Sequence, residues 1–226
     1  MLYLGFPEAA NRLARGRQTE VVIAGNPIEP PPVPRPSKAE SMAKLGWTEA
    51  TGGERVVLIF GGSQGSYAIN EAVRGWVTGG LPDDVRIIWS TGWNRWEEYR
   101  QLENRQVMVK PFLSPISEAY AACDLAVTRA GAMTCAELAA WGVPAIMIPL
   151  PTAAADHQTG NAKAVEATGA GVPIAESALT AATLGAAVMQ LLGDRDVLAA
   201  MAKSARDSGR SNAAEVIARD ILGRFT

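Results

Sequence analysis

Three stretches of this chain carry residue types suited to an anionic, hydroxyl-rich ligand. The first is Gly61-Gly62-Ser63-Gln64-Gly65-Ser66, between an apolar run and a helical repeat. Glycines let backbone amides approach an anion closely, and a helix start adds free N–H groups and a partial positive charge. Ser63, Gln64 and Ser66 can add side-chain donors. The stretch is neither a GxGxxG fingerprint nor a Walker loop, because no Lys-Ser/Thr ending follows. A tight strand-to-helix turn is the plainer reading. The second stretch is Arg129-Ala130-Gly131-Ala132-Met133-Thr134, again at a strand-to-helix junction. Thr134 and Glu137 have capping-box spacing. Alternatively, Glu137 accepts hydrogen bonds from ribose hydroxyls, as acidic residues do in nucleotide sites. Two glycine-containing loops that open helices at one sheet edge suit a ligand with a diphosphate.

The third stretch, Asp156-His157-Gln158-Thr159-Gly160-Asn161, follows the proline-framed Pro149-Leu150-Pro151. Amides and carboxylates that both donate and accept suit sugar hydroxyls. Its alternative is a helix cap with a solvated first turn. His157 is a general base by residue type, although a histidine beside a helix start more often caps or hydrogen-bonds.

These loops need a sheet to bring them together. Continuous apolar runs predict strands at Glu20–Ala24, Arg55–Phe60, Val85–Trp89, Gln106–Val109, Asp124–Thr128, Pro144–Ile148 and Val172–Ala175. Helices are expected over Ser37–Leu45, opened by a Ser37/Glu40 capping box, from about Ile69 to Trp76, and over Trp93–Leu102 and Pro115–Cys123. Others fall at Met133–Trp141 and at Thr159–Thr168, which Gly169 ends. Three more helical segments finish the chain, the last near Asn212–Phe225. Strands buried on both faces and alternating with helices predict an α/β fold: a Rossmann-like doubly wound parallel sheet of about six strands. Ligands of such sheets bind at the C-terminal strand ends, here residues 61–66, 111–116, 129–134 and 149–161. Trp76 and Trp141 are expected to pack in helices and Trp89 in a strand, with Trp93 and Trp96 partly exposed.

Composition narrows the chemistry. The 226 residues include 21 basic and 23 acidic side chains, a net charge of −2, which argues against duplex nucleic acid as a partner. One histidine excludes a multi-His metal site. The two cysteines, Cys123 and Cys135, are spaced for neither a disulfide scaffold nor a zinc site. No secretory signal is visible, and glycine and prolines interrupt the uncharged run Leu138–Ala155. A soluble, intracellular protein is expected. The dense prolines of Pro30–Pro36 read as a connector, with too few residues before it for a separate domain.

Taken together, Gly61-Gly62-Ser63-Gln64-Gly65 with Ile69-Asn70, Arg129-Ala130-Gly131-Ala132-Met133-Thr134 with Glu137-Leu138, and Asp156-His157-Gln158 with Asn161-Ala162 resemble the MurG-type glycosyltransferases. Gly25-Asn26-Pro27 matches the segment that joins the two halves of such enzymes. The resemblance covers nearly the whole chain and implies the C-terminal, donor-binding half of a two-domain GT-B fold. It implies inverting transfer of N-acetylglucosamine from UDP-N-acetylglucosamine to a lipid-linked muramoyl-peptide in peptidoglycan synthesis, at the cytoplasmic face of the inner membrane. It places Ser63 and Gln64 at the diphosphate, within the phosphate loops of Gly61, Gly62, Gly65 and Gly131. Leu113 falls by the uracil, Met133 and Thr134 at the phosphates, Glu137 on the ribose, and His157, Gln158 and Asn161 at the sugar. No cofactor and no metal are implied, and no Asp-x-Asp pair lies in these loops.

The acceptor half, absent from the resemblance, would supply the catalytic base, the lipid-linked acceptor site and the membrane contact. Residues 1–36 then read as a remnant of that half plus a linker, 37–210 as the donor domain, and 211–226 as a helix packing back toward the acceptor half. The family arginine two residues after Gly-Asn-Pro is Glu29 here, with Arg35 the candidate replacement. Other readings are the donor subunit of a split transferase, a nucleotide-sugar epimerase, and a nicotinamide oxidoreductase domain. The last is disfavoured by the missing GxGxxG and by the lack of an acidic residue after the second strand.

Overall fold

The computed structural model describes residues 1–7, 10, 19–47 and 53–224. Two short strands, β1 (Leu2–Leu4) and β2 (Val21–Ile23), pair in parallel as a sheet of their own. The first of these was not expected, since three residues are too few to show a periodicity. Helix α1 (Lys38–Lys44) opens on the expected capping box: Glu40 N donates to Ser37 Oγ at 3.2 Å and Ser37 N to Glu40 Oε2 at 2.8 Å.

The central sheet then begins. Its strands are β3 (Arg55–Phe60), β4 (Val85–Ser90), β5 (Val107–Lys110), β6 (Leu125–Thr128), β7 (Ala145–Met147) and β8 (Gly171–Pro173). All six are parallel, in the order β5-β4-β3-β6-β7-β8. Counted from β3 this is the doubly wound order 3-2-1-4-5-6, whose direction reverses between β3 and β6. The intervening helices are α2 (Tyr67–Thr78), α3 (Trp96–Tyr99), α4 (Ser117–Ala122), α5 (Ala132–Trp141) and α6 (His157–Thr168), followed by α7 (Ala181–Gly193), α8 (Arg195–Ser208) and α9 (Ala213–Gly223).

The period-2 alternation of β3 explains its unbroken apolar sequence. Val57 and Ile59 pack with Ile69, Val73 and Trp76 of α2 and with Leu184 and Val188 of α7. Val56, Leu58 and Phe60 point the other way, toward Met42 of α1, Tyr120 of α4 and Leu138 of α5. Each such large side chain taken from water contributes roughly 1.5–3 kcal/mol. Trp89 is fully buried in the sheet, Trp76 and Trp141 pack in helices, and Trp93 is 68% exposed.

Several expected elements shift. The continuous helix over Trp93–Leu102 is instead a four-residue α3 between 3-10 turns at Trp93–Arg95 and Arg100–Leu102. Gly92, the residue just before this segment, is held at the strand ends, its N donating to Pro111 O at 3.1 Å. The last strand lies at Gly171–Pro173 rather than Val172–Ala175, and α6 starts at His157 rather than Thr159. Helix α9 bonds to the N-terminal pair: Tyr3 Oη donates to Asp220 Oδ2 at 2.5 Å, and Arg224 pairs with Glu20 at 3.1 Å. Phe225, the expected end of this helix, lies outside the described residues. Among those residues no helix is long and apolar enough to cross a membrane.

Both cysteines are free. Burial pushes the Cys135 thiol up to about 12 and holds Cys123 higher still. The reactive thiolate is therefore nearly absent from the folded chain at about pH 8. Ellman's reagent should label neither thiol within minutes under native conditions and both after addition of denaturant. Fast native labelling would contradict this packing.

Candidate functional site

The reversal between β3 and β6 leaves a crevice at their C-terminal ends, where the first two glycine loops leave the sheet. The loop after β3 is locked to the loop after β4. Gly65 has φ +75, and a Cβ there would lie 2.0 Å from Thr91 O. Gly92 has φ +86, and its Cβ would lie 2.4 Å from Gln64 O. Only glycine allows both the backbone conformation and the approach. Buried Asn70 completes the lock: its Nδ2 donates to Thr91 O at 2.8 Å, and its Oδ1 accepts from Trp89 Nε1 at 3.0 Å.

Ser63, Gln64 and Gly62 are exposed on this loop and Gly61 is half-buried. Ser66 is buried, and the structure corrects its reading as a ligand donor. It is the N-cap of α2, its Oγ accepting from Ile69 N at 3.4 Å.

Helix α5 begins three residues earlier than the capping-box reading required. Gly131 is its N-cap, Thr134 lies in the first turn, and Cys135 N donates to Gly131 O at 2.9 Å. Among the described residues no side chain caps the first turn, which leaves the amides of Ala132, Met133 and Thr134 at the crevice with the positive end of the helix dipole. Met133 is 45% exposed. Glu137, freed from capping, accepts a hydrogen bond from Tyr120 Oη at 2.8 Å on its Oε2.

Arg129 ties four loops together. Its Nη2 donates to Ser66 Oγ at 2.7 Å, and its Nη1 donates to the carbonyls of Ile148 and Pro149 at 3.2 and 3.3 Å. It also pairs with Glu176 beyond β8. The arginine side chain is only 12% exposed.

The third stretch closes the far side. Asn161 Nδ2 donates to Ala130 O at 2.9 Å, and Gln158 Oε1 accepts from Leu150 N at 3.0 Å. Asn161 therefore borders the β6–α5 loop and Gln158 the loop after β7, and Gln158 Nε2 and Asn161 Oδ1 take no part in these two bonds. His157 is exposed, its Nδ1 2.6 Å from Ala154 O. Just before it, Ala155 and Asp156 hold φ +50 and +54. Left-handed geometry at two successive non-glycine residues costs on the order of 1 kcal/mol each and marks a shaped loop. Asp156 stands at the N-cap of α6, as the capping alternative has it, but its side chain makes no capping hydrogen bond. Leu113 is buried in the core beside the loop after β5, whereas its neighbour Phe112 is 46% exposed.

One expected replacement fails. Arg35 does not reach the crevice; it donates to the carbonyls of Ala140 and Trp141 at 2.7 Å each and lies over the Trp141 ring at 5.9 Å. It caps the C-terminal end of α5, where a cation is favoured, at the opposite end from Gly131. A cavity of about 510 Å³ between α5, α6, α8 and residues 5–7 contains none of the loop residues named above.

Sequence reasoning missed the roles of Arg129, Glu176 and Tyr120. An arginine closing an apolar strand was the one signal available for the first. Tyr120 and Glu137 are seventeen residues apart, and no local pattern joins them.

Residues 56–217 match the glycosyltransferase family 28 C-terminal domain. The chain belongs to that family. Relatives of this family 28 chain include a UDP-N-acetylglucosamine--N-acetylmuramyl-(pentapeptide) pyrophosphoryl-undecaprenol N-acetylglucosamine transferase from Salinibacter ruber. It is 39% identical over 227 residues, covering 98% of this chain and 58% of that protein. The protein of the same description from Methylococcus capsulatus is 42% identical over 173 residues, or 74% of this chain and 48% of that one. The crystal structure of Acinetobacter baumannii MurG superposes with a TM-score of 0.68 at 30% identity, over 83% of this chain and 55% of that one. The family 28 chain thus spans about half the length of the relatives it matches, and its sheet is the Rossmann-like half of a GT-B fold. The calicheamicin glycosyltransferase CalG4, at 19% identity and a TM-score of 0.61, shares the fold.

Proposed function

We propose that this chain is the donor-binding half of an inverting glycosyltransferase. It moves N-acetylglucosamine from UDP-N-acetylglucosamine to a lipid-linked muramoyl-peptide in peptidoglycan synthesis. The observation that carries the reading is the uncapped first turn of α5 at the sheet's reversal point, with Glu137 one turn further along. An anion is favoured at such a terminus, and a carboxylate just behind it suits hydroxyls next to that anion.

In this reading the diphosphate rests between the starts of α2 and α5, against Gly61, Gly62, Gly65 and Gly131, with Ser63, Gln64, Met133 and Thr134 donating. Leu113 lies by the uracil and Glu137 holds the ribose. His157, Gln158 and Asn161 contact the sugar. An acceptor hydroxyl attacks the anomeric carbon; the new C–O bond forms as the bond to the diphosphate oxygen breaks. The helix termini stabilise the departing UDP because their dipoles are fixed before charge develops there. The proton goes to a base outside this chain, in an acceptor half that also carries the lipid-linked acceptor and the contact with the cytoplasmic face of the membrane. Residues 1–36 are the edge of that half and its connector, 37–210 the donor domain, and 211–226 the returning helix. The parallel β1–β2 pair supports this division, because parallel strands ordinarily belong to larger sheets covered on both faces.

Titration calorimetry with UDP-N-acetylglucosamine tests the reading. Weak binding is expected, with no turnover of lipid acceptor by this chain alone. Absence of heat at millimolar donor, or robust transfer by the isolated chain, would each refute it.

A further inference from the structure

We propose that Tyr120 is a positioning residue that holds the Glu137 carboxylate for the ribose diol and so sets the preference of this site for a ribonucleotide. The proposal rests on the donor-binding reading above. Glu137 is half-buried on the exposed side of α5, and a free glutamate there samples several rotamers. Tyr120 Oη removes that freedom by donating to Oε2 at 2.8 Å.

The hydroxyl is itself held in place. Tyr120 is 3% exposed, and its ring packs at 6.3 Å from that of Phe60 and 6.0 Å from that of Trp141. Burial and the neighbouring carboxylate raise its ionisation well above the ordinary tyrosine value, so the group remains a proton donor. With Oε2 engaged from the core side, Oε1 is left to accept from a vicinal diol. A carboxylate fixed in this way loses no rotamer freedom on binding, which is what preorganisation contributes to affinity. A nucleotide lacking the diol gains nothing from the same arrangement.

The test compares UDP with 2′,3′-dideoxy-UDP by calorimetry on the 226-residue chain, on Tyr120→Phe, on Glu137→Ala and on the double variant. The parent chain should prefer UDP. Tyr120→Phe removes one oxygen and keeps the ring packing. It should weaken UDP about tenfold, the value of a hydrogen bond to a charged group, and leave the dideoxy analogue within about twofold. In the Glu137→Ala background, Tyr120→Phe should change neither affinity further. Because both nucleotides are read on one sample, a reduced folded fraction cannot produce a change in their ratio. An unchanged ratio in Tyr120→Phe, or equal weakening of both nucleotides, overturns the proposal. A parent chain that binds UDP but does not distinguish it from the dideoxy analogue instead removes Glu137 from the ribose. A parent chain that binds neither refutes the donor reading itself.

Discussion

Gly65→Ala is expected to lower stability by about 3 kcal/mol and to abolish binding of the proposed donor. Two terms add. A side chain at φ +75 costs roughly 1 kcal/mol. The new Cβ would also fall 2.0 Å from Thr91 O, a backbone atom that no rotamer change can move aside. Relieving that overlap means shifting the loop after β4, at the 1–3 kcal/mol typical of overpacking. Gly62→Ala is the matched control. Its φ is +88, yet nothing lies within 4 Å of the added carbon, so only the conformational cost of about 1 kcal/mol remains. Thermal melts should separate the two variants by roughly 5 °C or more. Equal shifts would show that the lock between the two loops contributes nothing.

The second large effect concerns Arg129. Arg129→Ala removes its bonds to Ser66, Ile148 and Pro149 together and leaves Glu176 without its cation. Taking one partner from a fully buried pair costs 3–5 kcal/mol; with side chains 12% and 27% exposed, solvent screening reduces this to about 2–3 kcal/mol. Donor affinity should fall at least tenfold, because the starts of α2 and α5 lose their common tie. Arg129→Ala combined with Glu176→Ala should recover part of the stability, since no unpaired carboxylate remains, while donor binding stays impaired. Urea titrations give the first quantity and calorimetry the second. A double variant no more stable than the single one would show that the Glu176 charge is already satisfied by water.

The sheet was legible because its physics is local. Val56 to Phe60 are buried on both faces, so their sequence is an unbroken apolar run, and its short length and β-branched residues mark it as a strand. The strand-to-helix turn after β3 was legible for a related reason: its glycines at 61–65 stand where the backbone needs them. What failed was whatever depended on distance. Thr134 and Glu137 have the spacing of a capping box, but the helix start was decided by Gly131, and a tyrosine from another helix took the carboxylate. Arg35 had the charge to replace a missing arginine, yet the carbonyls it found belong to the far end of α5. The helix expected over Trp93–Leu102 had suitable composition, but the backbone departs from ideal helical angles at Arg95 (φ −130) and Tyr99 (φ −112), which divides it into short turns.

The segment from Asn26 to Arg35 is fastened at both ends of one helix. Asn26 Nδ2 donates to Ala132 O at 3.1 Å at the start of α5, and Arg35 grips the carbonyls at its finish. The connector is therefore splinted along a rod of about 15 Å, ten residues at 1.5 Å each. Any body attached ahead of Asn26 takes its bearing from the same rod whose tip faces the proposed diphosphate. Rocking such a body against the sheet would strain the Asn26–Ala132 bond, next to the turn proposed to hold the diphosphate.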